Sequence, residues 1–323
     1  MRVVFMGSPE FALPTLRRLL ESQHEVVAVV TQPDRPAGRG HRATAPPVKV
    51  LAQERGVPVL QPANVSSPLS VERLRALEPD AIIVAAYGQI LRERVLELPR
   101  RGCLNVHASL LPRHRGASPV VAAILAGDEI TGVSIMEMVR ALDAGPVVAT
   151  AEEPISPHDT AGTLEARLAE KGAALLLDTL DPWAQGLLRA RPQDDSQATY
   201  APMVRRGDAL IDWSRPAVEI WRAVRAYNPW PVAFTRLGDE ELRILEAWPL
   251  EGGDDQPPGT VLPPVAVPAE SGASGVAPVV QTGEGRLALL SVQRAGKRAT
   301  SGAEFARGHR GFIGAVLGGH RSA

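Results

Sequence analysis

The fold is decided at the start of the chain, where the sequence reads Val3-Val4-Phe5-Met6-Gly7-Ser8-Pro9-Glu10. The apolar run over residues 3–6 predicts a short strand that is buried on both faces, as in a parallel sheet. Ser8, Pro9 and Glu10 then predict the start of a helix, because serine caps, proline suits the first helical position and a carboxylate favours the positive end. A second apolar run at residues 26–30 predicts the next strand. The chain therefore opens with a β-α-β unit, for which a right-handed crossover is expected.

The same alternation of apolar strands and amphipathic helices continues to about residue 188. Further strands are predicted at 57–60, 81–86, 103–107, 130–138 and 147–152, and helices at 48–55, 71–77, 118–125 and 163–180. This alternation is typical of an α/β domain with a Rossmann-like, mostly parallel sheet and helices on both faces. The first strand is not followed by Gly-x-Gly-x-x-Gly, which argues against a dinucleotide cofactor.

The remainder of the chain differs in character. Residues 189–207 are polar and irregular and are interpreted as a linker between a catalytic domain, 1–188, and a C-terminal domain, 208–323. That second domain is predicted to be a small OB-like β-barrel, because short strand patterns alternate with turn signals. The strand patterns lie at 232–237, 242–248, 279–282 and 287–292, after a helix at 217–227. Residues 250–278 are rich in Pro, Gly, Ala and Ser and are expected to form a flexible loop.

Composition limits the cellular setting. The chain has 323 residues, of which 45% are hydrophobic and 22% charged, as in soluble globular proteins. Apolar runs stay well short of the roughly 20 residues that span a bilayer, and the N-terminus is typical of a strand and not of a signal peptide. The single cysteine, Cys103, excludes an internal disulfide and suits a reducing cytosol. The histidines lack metal-ligand spacing. We therefore expect a cytoplasmic protein without membrane segment or metal, and nothing requires more than a monomer.

The net charge of −1 conceals a segregation of charge. Between Arg286 and Ala323 there are seven basic residues against one acid, Glu304, which leaves a local balance of +6. The seven are Arg286, Arg294, Lys297, Arg298, Arg307, Arg310 and Arg321. A polyanion responds to such a local concentration of positive charge more than to the net charge.

A second basic segment follows the second predicted strand. Residues 32–47 contain four prolines and two glycines, which predict a long irregular loop, and they carry Arg35, Arg39 and Arg42. The segment is either a solvated surface loop or a contact to phosphates. We favour the phosphate contact, because arginines on a long loop match a curved nucleic-acid backbone.

The chemistry is expected in the stretch 102–119. Asn105 and His107 are two residues apart at the end of a predicted strand, so their side chains should leave the same face. Ligands of open α/β sheets bind at such strand ends. The next loop, Ser109-Leu110-Leu111-Pro112, is too apolar for a mere solvent-facing connection. From the residues alone, His107 is equally compatible with a core histidine bonded to the backbone.

Together these residues carry a resemblance to a known family. The stretch from Asn105 to Pro112, with Arg115-Gly116 and Leu142-Asp143-Ala144-Gly145, resembles the formyltransferases that use 10-formyltetrahydrofolate. Other stretches resemble those members whose acceptor is methionyl initiator tRNA. These are Gly7-Ser8-Pro9-Glu10-Phe11, residues 31–40, Ala226-Tyr227-Asn228-Pro229-Trp230-Pro231 and Ala295-Gly296-Lys297-Arg298. The resemblance covers nearly the whole chain except 250–278, and His114 stands where the family usually has an aromatic residue.

The resemblance implies a role for each of these groups. Asn105, His107 and Asp143 would be the catalytic group: the amide stabilises an oxyanion, the imidazole stabilises it or relays protons, and the carboxylate orients the imidazole. Without the resemblance, Asp143 would be read as an ordinary turn residue. The loop of Ser109, Leu110, Leu111 and Pro112 would form a wall of the folate pocket.

The resemblance also implies that Arg39, Arg42, Lys297 and Arg298 contact the tRNA. Two alternatives remain open at this point. The acceptor could instead be an amino-sugar nucleotide or glycinamide ribonucleotide, as in relatives that lack this pairing of basic loop and C-terminal domain. The chain could also be a non-catalytic RNA-binding protein on the same scaffold, against which the presence of Asn105, His107 and Asp143 argues.

Overall fold

The computed structural model describes residues 1–37, 42–253 and 255–318. Packing divides the chain into two compact units. The first unit comprises Met1–Pro119, Ile130–Pro154 and Glu165–Ala201, and the second comprises Val120–Glu129, Ile155–Leu164 and the chain from Pro202 onwards. The second unit thus includes two short segments from within the range 1–188.

Strands and helices are numbered in chain order. The strands are β1 (Arg2–Gly7), β2 (Glu25–Val30), β3 (Arg35–Ala37), β4 (Arg42–Thr44), β5 (Val59–Leu60), β6 (Ala81–Ala85), β7 (Cys103–His107), β8 (Arg115–Gly116), β9 (Ile130–Glu137), β10 (Val147–Pro154), β11 (Tyr200–Ala201), β12 (Phe234–Leu237), β13 (Glu240–Leu250), β14 (Val261–Ala266), β15 (Val276–Gln281), β16 (Arg286–Arg294) and β17 (Thr300–Ser301). The helices are α1 (Leu13–Leu20), α2 (Pro47–Glu54), α3 (Pro68–Arg75), α4 (Glu93–Leu96), α5 (Pro119–Ala126), α6 (Ala161–Ala184), α7 (Ala217–Ala226) and α8 (Gly302–Gly308). Within the described ranges, none of these helices is both long and apolar enough to cross a membrane.

The first unit contains a seven-stranded sheet in the order β10-β9-β7-β6-β1-β2-β5. Strands β5, β2, β1, β6 and β7 are parallel, and β9 runs antiparallel to both β7 and β10. This confirms the predicted mostly parallel sheet. The chain builds outward from β1 on one side and returns to build β6 and β7 on the other, so the order reverses between β1 and β6. The carboxyl ends of these three strands, at Gly7, Ala85 and His107, define the edge where ligands of such sheets bind.

Helices cover both faces of this sheet, as predicted. On one face, Val4 and Met6 of β1 share a buried cluster with Val71 and Leu74 of α3. On the other face, α6 approaches β7 and β9 closely at Gly172. A Cβ at that position would lie 2.7 Å from a methyl group of Val106 and 3.0 Å from one of Val133. Only a residue without a side chain lets the helix pack so near the strand that carries Asn105 and His107.

The helix after β1 begins differently from the prediction. Ser8 does not cap it: a short 3-10 helix, Glu10–Ala12, follows Pro9 without a side-chain cap and leads into α1. The Ser8 hydroxyl instead donates to the carbonyl of Tyr87 at 3.1 Å and accepts the backbone N–H of Gln32 at 3.1 Å. These partners follow β6 and β2, so the serine joins the ends of three neighbouring strands.

The prediction of irregular structure over residues 32–47 is wrong in part. Strands β3 and β4 pair antiparallel, with Arg35 opposite Thr44 and Pro36 opposite Ala43. A proline is tolerated there because each strand of a two-stranded sheet is an edge and can lack one N–H donor. Residues 38–41, between the two strands, lie outside the described residues.

The second unit is built on an antiparallel sheet in the order β12-β13-β16-β15-β14, with β17 beside β16. This confirms the predicted strand-rich C-terminal domain. Its core joins residues of the sheet to α7, among them Ile220 and Val224 of the helix and Ile244 and Leu289 of the strands. Among the described residues, the end strands β12 and β14 are not hydrogen-bonded to each other.

Residues 250–278 are not the irregular loop that their composition predicted. They contain β14, which pairs with β15, and a 3-10 turn at Ala269–Ser271. The register of β14 shifts between Leu262 and Val265, where Pro263 and Pro264 stand. Because β14 is the edge of the sheet, two prolines are accommodated there by a break in the ladder.

Candidate active site

Asn105 and His107 lie in β7, between β6 and β9, close to the carboxyl edge of the sheet. Asn105 is opposite Val84 of β6 and Met136 of β9, and His107 is opposite Ser134 of β9. The two side chains share a face of the strand, as their spacing predicted. Asn105 is 8% and His107 5% exposed, so both polar groups are held in a mostly water-excluded setting.

The Asn105 amide makes no hydrogen bond to another group within the described part of the chain. The side chain keeps a little solvent access, so its N–H donors are left to water or to a ligand and have no acceptor among the described residues. The site therefore presents hydrogen-bond donors that a bound ligand can satisfy.

His107 has a different partner at each ring nitrogen. Nε2 lies 3.0 Å from the carbonyl oxygen of His114. A carbonyl can only accept, so Nε2 carries the hydrogen and the neutral ring has its lone pair on Nδ1. Nδ1 lies 3.7 Å from Oδ2 of Asp143, with 6% and 12% of the two side chains exposed. A proton taken up at Nδ1 would therefore be stabilised by a nearby, largely buried carboxylate.

The Asp143 carboxylate is itself fixed. Its Oδ2 accepts the backbone N–H of Gly116 at 2.8 Å, and the residue has a left-handed backbone with φ 47°. Aspartate tolerates that conformation better than most residues. The turn between β9 and β10 thereby directs this side chain at the ring of His107.

Gly116 is required by the geometry around this hydrogen bond. Its φ is 122°, and a Cβ would lie 2.5 Å from the carbonyl oxygen of Ala201 on the paired strand β11. The space and the backbone conformation both demand glycine. This is the structural reason for the Arg115-Gly116 pair in the motif.

The loop after β7 is held by polar groups while its apolar side chains stay half-buried. The Ser109 hydroxyl donates to the carbonyl of Arg113 at 2.6 Å. Ser134 of β9 donates to the carbonyl of Ser109 at 2.7 Å and accepts the N–H of Leu111 at 3.0 Å. Leu110, Leu111 and Pro112 remain partly accessible. The loop is thus a defined surface next to the polar pair.

Comparisons with known proteins place the chain in a family. A model described as formyl transferase matches residues 1–180, and a model described as formyl transferase, C-terminal domain, matches residues 203–310. The chain belongs to the formyl transferase family. The family and the enzyme class inferred from the sequence motifs are thereby confirmed.

Similar proteins match this formyltransferase over nearly its full length. The methionyl-tRNA formyltransferase of Nitrosococcus oceani is 49% identical over 316 residues, which cover 98% of this chain and 95% of that protein. The methionyl-tRNA formyltransferase of Acidithiobacillus ferrooxidans is 48% identical over 318 residues, 98% of each chain.

Solved structures share the fold at lower identity. The N-formyltransferase of Helicobacter canadensis, solved with folinic acid and dTDP-3-aminofucose, has a TM-score of 0.64 at 14% identity, covering 91% of this chain and 99% of that one. HypX from Aquifex aeolicus, in complex with tetrahydrofolic acid, has a TM-score of 0.59 at 21% identity. The match to HypX covers 94% of this chain and 46% of HypX, so this formyltransferase spans less than half of that protein.

The basic residues singled out in the sequence lie in two places. Lys297 and Arg298 are exposed in the turn between β16 and β17, and the carbonyl of Lys297 is fixed by the Gln293 side chain at 2.9 Å. Of Arg42 the structure describes only the backbone, within β4, and Arg39 lies outside the described residues. Among the described residues, no group of three or more His, Cys, Asp and Glu side chains could hold a metal ion.

Three polar residues that support the site were missed by sequence reasoning. Ser134 could have been noticed as a polar residue inside an apolar strand, directly opposite His107. Gln193 and Thr199 gave no signal, because they lie in the polar segment interpreted as a linker. Gln193 donates to the carbonyl oxygens of Asp143 and Gly145, and Thr199 accepts the N–H of His114.

Proposed function

We propose that this formyltransferase moves the formyl group of 10-formyltetrahydrofolate to the α-amine of methionyl initiator tRNA, and that Asn105, His107 and Asp143 carry the chemistry. The observation that carries the assignment is a buried imidazole that faces a fixed carboxylate at the carboxyl edge of the sheet. The amide of Asn105 lies on the same face of β7 and has no hydrogen-bond partner among the described residues. The acceptor is supported by 48–49% identity over nearly the full length to proteins named methionyl-tRNA formyltransferase.

The reaction requires one bond to form and one to break. The amine nitrogen of the methionyl ester attacks the formyl carbon, and the carbonyl oxygen becomes an oxyanion. The bond between the formyl carbon and folate N10 then breaks. One proton leaves the amine and one is gained by N10, so the transfer is balanced without an oxidant or reductant.

Asn105 is assigned to the oxyanion. Its amide N–H groups have no acceptor among the described residues, so they can turn towards the oxygen on which charge develops. Such a donor acts most strongly where water is excluded, and removal of one typically costs about 100- to 1,000-fold in kcat.

His107 is assigned to the proton. With Nε2 committed to the His114 carbonyl, Nδ1 is the nitrogen that can accept a proton from the amine and deliver it to N10. Asp143 stabilises the imidazolium form from 3.7 Å and does not itself need to change protonation.

The folate is assigned to the loop of Ser109, Leu110, Leu111 and Pro112. The accessible apolar side chains supply contact area, and the loop's backbone is pinned by Ser134. An apolar surface with a few fixed polar groups suits a flat heterocycle.

The tRNA is assigned to the exposed turn that carries Lys297 and Arg298, together with Arg39 and Arg42. Basic side chains that face solvent bind the phosphate backbone without reading sequence. They give affinity, whereas the site at β7 supplies the chemistry.

The proposal is tested by incubating the protein with charged initiator tRNA and 10-formyltetrahydrofolate and determining the mass of the esterified methionine. A mass gain of one formyl group, dependent on the folate, is expected. Parallel reactions contain an amino-sugar nucleotide or glycinamide ribonucleotide in place of the tRNA. Formylation of one of those, with none of the tRNA, would refute the proposed acceptor.

A further inference from the structure

The two residues that face the ring nitrogens of His107, His114 and Asp143, are both held at their backbones by one segment of the chain, residues 193–201, which we call the strap. The strap belongs to the first unit, contains a 3-10 turn at Asp195–Gln197 and ends in β11. It follows the sheet in sequence and had the composition of a linker. Its contacts lead to the two partners of His107, the carbonyl of His114 and the carboxylate of Asp143.

Gln193 is the contact on the Asp143 side. Its Nε2 donates to the carbonyl oxygens of Asp143 at 2.8 Å and Gly145 at 2.6 Å. Its Oε1 accepts two N–H groups of Arg115, from Nε at 3.1 Å and from Nη2 at 2.8 Å. Both N–H groups and the oxygen of the Gln193 amide are therefore used. The amide joins the turn of Asp143 to the guanidinium of Arg115, and Arg115 is only 3% exposed.

Thr199 is the contact on the His114 side. Its hydroxyl accepts the backbone N–H of His114 at 2.8 Å, and its carbonyl accepts the N–H of Arg115 at 2.8 Å. His114 has a left-handed backbone with φ 57°, a conformation that needs support from its surroundings in a non-glycine residue. Thr199 thus holds the peptide groups on both sides of His114. Its backbone carbonyl holds the one whose oxygen faces His107, and its hydroxyl holds the one before it.

We propose that Gln193 and Thr199 are positioning residues for His107: the strap sets the two distances, to the His114 carbonyl and to the Asp143 carboxylate, that make Nδ1 the working nitrogen. The inference rests on the proposed function of His107. Neither residue is itself a partner of the imidazole in the structure, so each acts through another group. A displacement of about 1 Å in a group that orients a reacting centre can cost about 100-fold in rate.

The Gln193 arm is tested with Gln193→Glu. Glutamate keeps the acceptor for Arg115 but has no N–H for the carbonyl oxygens of Asp143 and Gly145. We expect kcat to fall by at least about tenfold while the KM values for tRNA and folate change by less than about threefold, because binding groups are untouched. Gln197→Ala is the matched control: Gln197 lies in the same strap and bonds Asp194. It should retain wild-type kcat.

The Thr199 arm uses an isosteric pair. Thr199→Val keeps the shape and removes the acceptor for the His114 N–H, and should lower kcat with little change in KM. Thr199→Ser keeps the hydroxyl and should restore most of the activity. Equal kcat values for the valine and serine variants would overturn this arm, whatever their stabilities.

A double-mutant cycle separates positioning from general stability. In an Asp143→Asn background, Gln193→Glu should cost less than about twofold, because the carboxylate on which it acts is gone. A full additional loss there, or an unchanged kcat for Gln193→Glu in the wild-type background, would overturn the Gln193 arm. Wild-type activity of Asp143→Asn alone would instead refute the proposed role of Asp143, and the Thr199 pair would still decide whether the strap positions His107.

Discussion

Oδ2 of Asp143 lies 3.7 Å from Nδ1 of His107 and at the same time accepts the N–H of Gly116 at 2.8 Å. One oxygen therefore faces both the His107 ring and the backbone of Gly116. The carboxylate is thus oriented by the protein itself, without a substrate. A charge that is already in place costs no reorganisation when a proton arrives on the imidazole.

Asp143→Asn should lower kcat by about 100-fold or more with little change in KM. The amide keeps the size of the side chain but carries no charge to stabilise a protonated His107. Steady-state formylation of charged initiator tRNA measures the effect. Asp178→Asn, an exposed aspartate on α6, is the control and should behave as wild type. An Asp143→Asn enzyme within about twofold of wild type would contradict the role of the carboxylate.

Asn105→Ala should reduce kcat by about 100- to 1,000-fold, the usual loss when one oxyanion donor is removed. The free energy of unfolding should change little, because the amide makes no hydrogen bond to the described residues that the substitution would break. Single-turnover rates and thermal melts of the same preparation separate the two. Loss of stability with retained kcat would show that the amide is structural.

Gly116→Ala should destabilise the protein by more than about 1 kcal/mol, because a methyl group cannot be placed 2.5 Å from the carbonyl oxygen of Ala201 at φ 122°. It should also lower activity, since the N–H of Gly116 holds Asp143. Chemical denaturation gives the free energy of unfolding. Gly207→Ala is the matched control, because a Cβ there meets nothing within 4 Å and φ is not positive. Equal stabilities of the two variants would contradict the steric argument.

His24 should make stability depend on pH. Burial lowers the pKa of His24 below its ordinary value of 6.5, even though Asp181 acts in the opposite direction. Below pH 6.5 His24 is protonated in the unfolded chain but stays mostly neutral in the folded protein until the pH falls further. The contribution to stability is therefore full above that pH and is lost as the pH falls through the folded pKa. Unfolding free energies at pH 7.5 and 5.5 should differ less in His24→Gln than in wild type; an identical difference would refute this.

The turn that carries Lys297 and Arg298 should contribute to the salt dependence of tRNA binding. Replacement of both residues by alanine should reduce the slope of log affinity against log salt by about 1.5 to 2, because each phosphate contact releases about one counterion. Binding measured over a range of potassium chloride gives the slope. Lys171→Ala, whose ammonium is paired with Glu153 in the first unit, should leave it unchanged. A double variant with the wild-type slope would contradict the assignment.

The parts of the fold that sequence predicted are those in which local pattern and burial agree. The apolar runs of β1 and β6 are typical of parallel strands with both faces covered, and the spacing of Asn105 and His107 predicts that both lie on one face of β7. The motif around Asp143 also predicted this residue as a partner of His107, although the two are 36 positions apart in the chain. Periodicity alone does not indicate such a contact.

The parts that sequence missed depend on long-range contacts. Ser8 has the local features of a helix cap, but its hydroxyl bonds the carbonyl of Tyr87 and the N–H of Gln32 instead. These two groups come close to Ser8 only when the sheet forms. Residues 250–278, rich in Pro, Gly, Ala and Ser, predict a loop, but they contain β14. That strand tolerates proline because it is at the edge of the sheet.

The strap shows the same limit at the site itself. Gln193 and Thr199 lie among polar residues with no periodic pattern, so composition could only suggest a linker. The role proposed for them depends on partners, Asp143 and His114, that are 50 and 85 residues away in the chain. Polar groups that position a catalytic side chain leave no local signature, since their requirement is for a distant acceptor or donor and not for a secondary structure.

The most direct test of the central claim is the single-turnover formylation of charged initiator tRNA by wild type and by His107→Gln, each saturated with 10-formyltetrahydrofolate. Glutamine can still donate towards the His114 carbonyl but cannot carry a proton between amine and folate. We predict folate-dependent formylation by the wild type and a loss of at least about 100-fold in the variant, with similar tRNA and folate affinities. A His107→Gln protein that is folded and formylates at close to the wild-type rate would contradict the account.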